Sequence, residues 1–86
     1  MAVRIRVYGK VQGVFYRATT KTVADDLGLT GWVKNEADGS VTIIAEGSKV
    51  DELISWSKQG PQFARVDRQD VDEVEVESLE SFEIRR

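Results

Sequence analysis

Gly9-Lys10-Val11-Gln12-Gly13-Val14-Phe15-Tyr16-Arg17 leaves an alternating strand, bends through two glycines and delivers an arginine to the first turn of a helix. Backbone N–H groups in such a bend point into a shared concavity, and the helix behind it adds positive potential. Arginine supplies a fixed fork of donors and a charge that persists at any biological pH. That combination suits an oxyanion with several equivalent oxygens, phosphate first among them. No Gly-Lys-Ser/Thr follows the second glycine, which excludes a nucleotide-binding P-loop.

Outward from the loop, Val3, Ile5 and Val7 alternate with Arg4, Arg6 and Tyr8, the period of a strand with one buried face. On the other side the pattern turns helical from about Arg17 to Leu27, with Thr20, Val23, Ala24 and Leu27 along one stripe. Gly28 is placed to end that helix in a left-handed conformation, with Leu29 closing over the last turn. A second strand, Thr30 to Asn35, runs into Glu36-Ala37-Asp38-Gly39, a hairpin signal, and Val41, Ile43 and Ala45 form the inward set of a third. Ser48 reads as the N-cap of a second helix carrying Asp51 and Glu52 in its first turn and Val50, Leu53, Ile54 and Trp56 on its apolar side. Gly60-Pro61 stops it. An extended segment follows from Val66, in which Val74 and Val76 alternate with glutamates, then a short last strand at Phe82 and Ile84 with Arg85 and Arg86 frayed behind it.

The order is β-α-β-β-α-β with a late extra strand. Two helices of about ten residues cannot cover both sides of a sheet. They should therefore pack together on one face, leaving the other open or lined by the strands' own side chains. The expected class is α+β: a ferredoxin-like sandwich with a mostly antiparallel sheet.

Composition narrows the chemistry. The chain has 86 residues, room for one core, with 41% apolar and 31% charged residues. There is neither cysteine nor histidine. Disulfides, thiolate nucleophiles, cysteine-ligated zinc, the commonest general base and any phosphohistidine intermediate are thereby removed. No apolar run approaches the ~18 residues of a membrane span and no signal-peptide pattern precedes Val3, so the cytoplasm is the expected compartment. The net charge of −3 is uneven: up to Asn35 six cations face Asp25 and Asp26, a balance of +4, and beyond it six face thirteen carboxylates, a balance of −7. A basic half on an acidic whole suits a small anionic ligand better than a long polyanion.

With these elements placed, the chain closely resembles an acylphosphatase. One signature is Val7-Tyr8-Gly9-Lys10-Val11-Gln12-Gly13-Val14-Phe15-Tyr16-Arg17; the other is Gly31-Trp32-Val33-Lys34-Asn35, then Asp38-Gly39-Ser40-Val41 and Gly47. Ala24, Leu27, Gly28 and Leu29 stand at the family's spacing between them, and Trp56, Gly60-Pro61, Ala64 and Val66 match its later helix end. Tyr16 departs from the phenylalanine or methionine usual before the arginine, and its hydroxyl must reach water or a partner if buried.

The resemblance implies a single domain over residues 1–86 that hydrolyses the carboxyl–phosphate anhydride of acyl phosphates to a carboxylate and inorganic phosphate. It implies that Arg17 anchors the phosphate, that amides of Lys10, Val11, Gln12, Gly13, Val14, Phe15 and Tyr16 cradle it, and that Asn35 holds the attacking water. No metal and no cofactor are expected. A carboxylate leaves without a general acid, and phosphoryl transfer asks mainly for positioning and charge stabilisation. The expected partners are an acyl phosphate and inorganic phosphate, with no nucleic acid, no membrane and a monomeric state.

Other residues read more plainly. Gln12 suits shaping the loop rather than catalysis, Lys10 a solvated position, and Asp38 turn chemistry. Trp32, Trp56 and Phe63 read as core or half-core. The alternative function is a non-catalytic phosphate- or carbamoyl-phosphate-binding module, because domains of this kind also occur inside larger maturation factors. An RNA recognition motif shares the topology, but Val41-Thr42-Ile43-Ile44-Ala45 offers no ring to stack a base.

Overall fold

The computed structural model describes residues 2–86. The elements are β1 (Ala2–Lys10), α1 (Tyr16–Asp26), β2 (Thr30–Asn35), β3 (Val41–Glu46), α2 (Val50–Ser57), β4 (Arg65–Val74) and β5 (Phe82–Arg85). They form one sheet in the order β4-β1-β3-β2-β5. β1 runs antiparallel to β3 and β4, as does β2 to β3, while β5 lies parallel to β2. This is the expected ferredoxin-like arrangement with its extra edge strand.

The period-two alternation carries the sheet. Val3, Ile5 and Val7 are buried and share one core with Val33, Val41, Ile43 and Ala45. Tyr16 and Ala24 from α1 and Val50 and Leu53 from α2 join the same cluster, so both helices cover one face. They meet where the Tyr16 and Trp56 rings lie 5.5 Å apart. α1 ends in a Schellman motif: Leu29 N–H donates to Ala24 O (2.9 Å) and Gly28 N–H to Asp25 O (3.1 Å), satisfying carbonyls the helix would otherwise leave bare.

The helix-free face is lined by the strands' own side chains. All six residues of β3 are buried, Thr42 and Glu46 included. Arg6 Nε donates to Thr42 Oγ1, and the Glu46 carboxylate accepts the N–H groups of Glu77 (2.6 Å) and Ser78 (3.1 Å), pinning the chain between β4 and β5.

Four expectations need correction. Ser48 is not the N-cap: Lys49 holds that position, and no side chain caps the helix. Phe63 is exposed, because it sits in the loop after Gly60-Pro61 rather than under a helix. β4 stops at Val74, leaving Val76 outside the sheet and exposed. Arg85 is not frayed: it closes β5, with its guanidinium 4.8 Å above the Trp32 ring.

Candidate active site

Between β1 and α1 the chain needs a sharp reversal. Gly13 takes φ 73 and Phe15 takes φ 63 as the residue preceding α1. For a bulky residue the left-handed region costs ~1–3 kcal/mol, so Phe15 is a strained position rather than a turn of convenience. Among the described residues, the N–H groups of Gln12, Gly13, Val14 and Phe15 are donated to no backbone carbonyl. Val11 and Val14 are buried and anchor the bend to the core, while Lys10 points to solvent.

Gln12 braces the bend. Its Nε2 donates to Glu36 O (2.8 Å) and Ser40 O (2.9 Å), tying the loop to the β2–β3 hairpin. Asp38 builds that hairpin as turn chemistry, its Oδ1 accepting from both Ser40 N–H and Ser40 Oγ–H; these bonds hold the carboxyl below its usual range. The brace matters because Asn35 ends β2 immediately before the hairpin.

Tyr16 is buried under the bend, and its hydroxyl donates to Ser57 O at 2.8 Å, which answers the need for a partner. Burial pushes the phenol upward, keeping it neutral. Ser57, itself fully buried, is bonded in turn by Gln69 Nε2 on β4. At Gly60 a side chain would collide with the Tyr16 ring, so the α2 terminus and the loop are fitted to each other.

Arg17 follows in the first turn of α1, its Nη1 donating to Arg85 O (3.1 Å), while Lys21 Nζ donates to Phe82 O one turn on (2.9 Å). α1 thus clasps β5 by its backbone. The outcome is a hollow of about 300 Å³ lined by Val11, Gly13, Phe15, Tyr16, Arg17, Ala18, Asn35 and Ile84. Asn35 lines it, and its Oδ1, shielded from solvent, has no hydrogen-bond partner among the described residues.

Of the residues named from sequence, Arg17, Asn35, Val11, Gly13, Phe15 and Tyr16 meet at this hollow, whereas Lys10, Gln12 and Val14 do not line it. Ala18 and Ile84 were missed. Ala18 could have been inferred from its position in the first turn; Ile84 could not, since nothing local announces that β5 lies parallel to β2 and against α1. No group of three or more acidic side chains suited to a metal occurs among the described residues.

A ferredoxin-like sandwich with a hollow lined by Gly13 and Phe15 of the undonated bend, by Arg17 and by Asn35 defines a class of small oxyanion-handling proteins. The acylphosphatase family model matches residues 3–84. The chain belongs to the acylphosphatase family, and it is an enzyme that hydrolyses acyl phosphates. It is 51% identical over 82 residues to an acylphosphatase of Acaryochloris marina, covering 93% of this chain and 88% of that one. The crystal structure of an acylphosphatase from Bacillus subtilis superimposes with a TM-score of 0.94 at 36% identity, over 99% of this chain and 98% of that. An acylphosphatase from Coxiella burnetii does so at 0.93 and 38%, over 98% and 90%.

Proposed function

We propose that residues 1–86 work as one catalytic domain in which Arg17 anchors the transferring phosphoryl group, the loop amides from Lys10 to Tyr16 complete its cradle, and Asn35 aims the attacking water. The observation that supports this reading is that Arg17, Asn35 and the loop line one hollow of about 300 Å³. The water oxygen attacks phosphorus as the bond from phosphorus to the acyl oxygen breaks; the carboxylate departs with the electron pair, and the water's proton passes to a phosphate oxygen. Arg17 follows the charge on the equatorial oxygens, and its bond to Arg85 O holds the guanidinium at the lip. The four undonated N–H groups supply fixed dipoles that need no reorganisation during the reaction.

Asn35 suits the water because a carboxamide accepts a hydrogen bond without setting negative charge beside a dianion. Its Oδ1 makes no hydrogen bond where it stands, so turning the amide toward the hollow gives none up at that oxygen.

We read the protein further as a cytoplasmic monomer that needs no metal and binds no nucleic acid. The charged edge strand β4, with Arg65–Asp67 and Arg68–Asp70 pairs, supports the monomer, since such edges resist pairing with a second copy. The net charge of −3 and the Arg85 guanidinium roofing Trp32 support the lack of nucleic-acid binding, and the absence of cysteine accords with a reducing compartment.

The test is hydrolysis of benzoyl phosphate followed by absorbance, with inorganic phosphate as inhibitor. Arg17→Ala lowers kcat/KM by at least about 10³-fold and abolishes phosphate inhibition together with it. Asn35→Ala lowers kcat by about 10²-fold, keeps phosphate inhibition, and does not lower the melting temperature, because Oδ1 has no bond to lose. A chelator leaves the native rate unchanged. Robust activity in Arg17→Ala would overturn the assignment.

A further inference from the structure

Phe15 is costly twice over. Its backbone lies at φ 63, where glycine or asparagine would hold the same bend with less strain, and its ring is 78% exposed. Neither turn geometry nor core packing accounts for an aromatic side chain there. Across the same hollow stands Ile84, 43% exposed on β5, where the bonds from Arg17 and Lys21 to the β5 backbone hold it in place. Of the five large apolar side chains exposed among the described residues, these two line one hollow with Arg17; Phe63, Val71 and Val76 do not line it.

The hollow is also larger than its anion. At about 300 Å³ it exceeds one phosphate group, whose five bonded heavy atoms occupy less than roughly five waters at ~30 Å³ each. The remainder of the lining includes Phe15, Ile84 and Ala18, whose side chains carry no charge. A substrate whose phosphate occupies the amide cradle must pass its acyl group through that remainder.

We infer that Phe15 and Ile84 form an acyl subsite, selecting acyl phosphates with an aromatic or branched-alkyl acyl group over those with a methyl or amino group. This rests on the reading that the phosphate occupies the Arg17 cradle. Burying the apolar acyl group against the two side chains stabilises the bound substrate through removal of apolar surface from water on both partners.

The experiment compares kcat/KM for benzoyl phosphate and acetyl phosphate in the native protein and in Phe15→Asn and Ile84→Ser. Asparagine keeps the left-handed bend accessible, and serine leaves the backbone pairing of β5 intact. The native ratio is expected to favour benzoyl phosphate by about tenfold. It falls about tenfold in Phe15→Asn and about threefold in Ile84→Ser. Independently of any variant, phenylphosphonate should inhibit the native enzyme more tightly than methylphosphonate. A native ratio near one, equal inhibition by the two phosphonates, or ratios unchanged in both variants would each overturn the acyl subsite while leaving the phosphate cradle standing. If phosphate, methylphosphonate and phenylphosphonate all failed to inhibit, the cradle reading would fall and this inference with it.

Discussion

The two helices start in opposite electrostatic circumstances. α2 carries Asp51 and Glu52 in its first turn, two carboxylates against the positive end of its own dipole. α1 has no acidic residue in its first turn and places Arg17 there instead, so a cation is added to a terminus already positive. Neither helix is capped by a side chain, so capping does not account for the difference. A stability argument would exchange the two patterns. The helix end left uncompensated is the one the hollow opens onto, and on the proposed reading the anion it lacks is the phosphate of the substrate.

The sharpest way to break this contrast is to give α1 the carboxylate that α2 already has. Ala18→Glu sets an acid on the exposed third residue of α1, at the lip of the hollow. The carboxylate should strengthen the helix by about 0.5 kcal/mol and oppose the incoming dianion by at least about 1.4 kcal/mol. The expected outcome is a rise of about tenfold in the inhibition constant of inorganic phosphate together with a slightly higher melting temperature. Stability and affinity moving the same way would show that the bare terminus of α1 is not what binds.

The contrast was half visible in the sequence. Asp51, Glu52 and Arg17 are local facts, as is the alternation of Val3, Ile5 and Val7, and these survive folding without revision. Ser48 failed as a cap because the backbone turns helical one residue later than its side chain would need, which puts Lys49 at the N-cap. Ile84 and Arg85 O reach the site only through the parallel pairing of β5 with β2, a contact between residues some fifty apart, which no local pattern encodes. The same holds for the Ser57 carbonyl under Tyr16, supplied from the far end of the second helix.

That buried bond tests whether the α1 terminus is held from below. Tyr16→Phe removes the donor, leaves the Ser57 carbonyl without it, and should lower stability by about 1 kcal/mol, read as a melting temperature about 4–8 °C lower. Activity should remain near native, since the ring still fills its place beside Trp56. The alkaline limb of stability should also differ. Burial raises the phenol above its ordinary 10.0, so the folded state keeps this proton where the unfolded chain releases it. The native protein therefore loses stability as pH rises above about 10, by up to about 1.4 kcal/mol per pH unit from this group, and the phenylalanine variant lacks that contribution. Identical alkaline slopes in the two proteins would mean that the hydroxyl is not buried in solution.

The smallest effect is expected at the other helix. Asp51→Asn with Glu52→Gln strips α2 of its compensation and makes its N-terminus resemble that of α1 in charge, without the folded-back loop of undonated amides in front of it. Both side chains are solvent-exposed, so screening limits the loss to about 0.5 kcal/mol, and raising the ionic strength should shrink it further. Phosphate inhibition and kcat should stay at native values, and no second phosphate should bind by calorimetry. If the stripped α2 terminus did acquire phosphate, an uncompensated helix end alone would suffice for binding. If it does not, the binding proposed at α1 must come from the conjunction of that end with Arg17 and the Gln12–Phe15 bend.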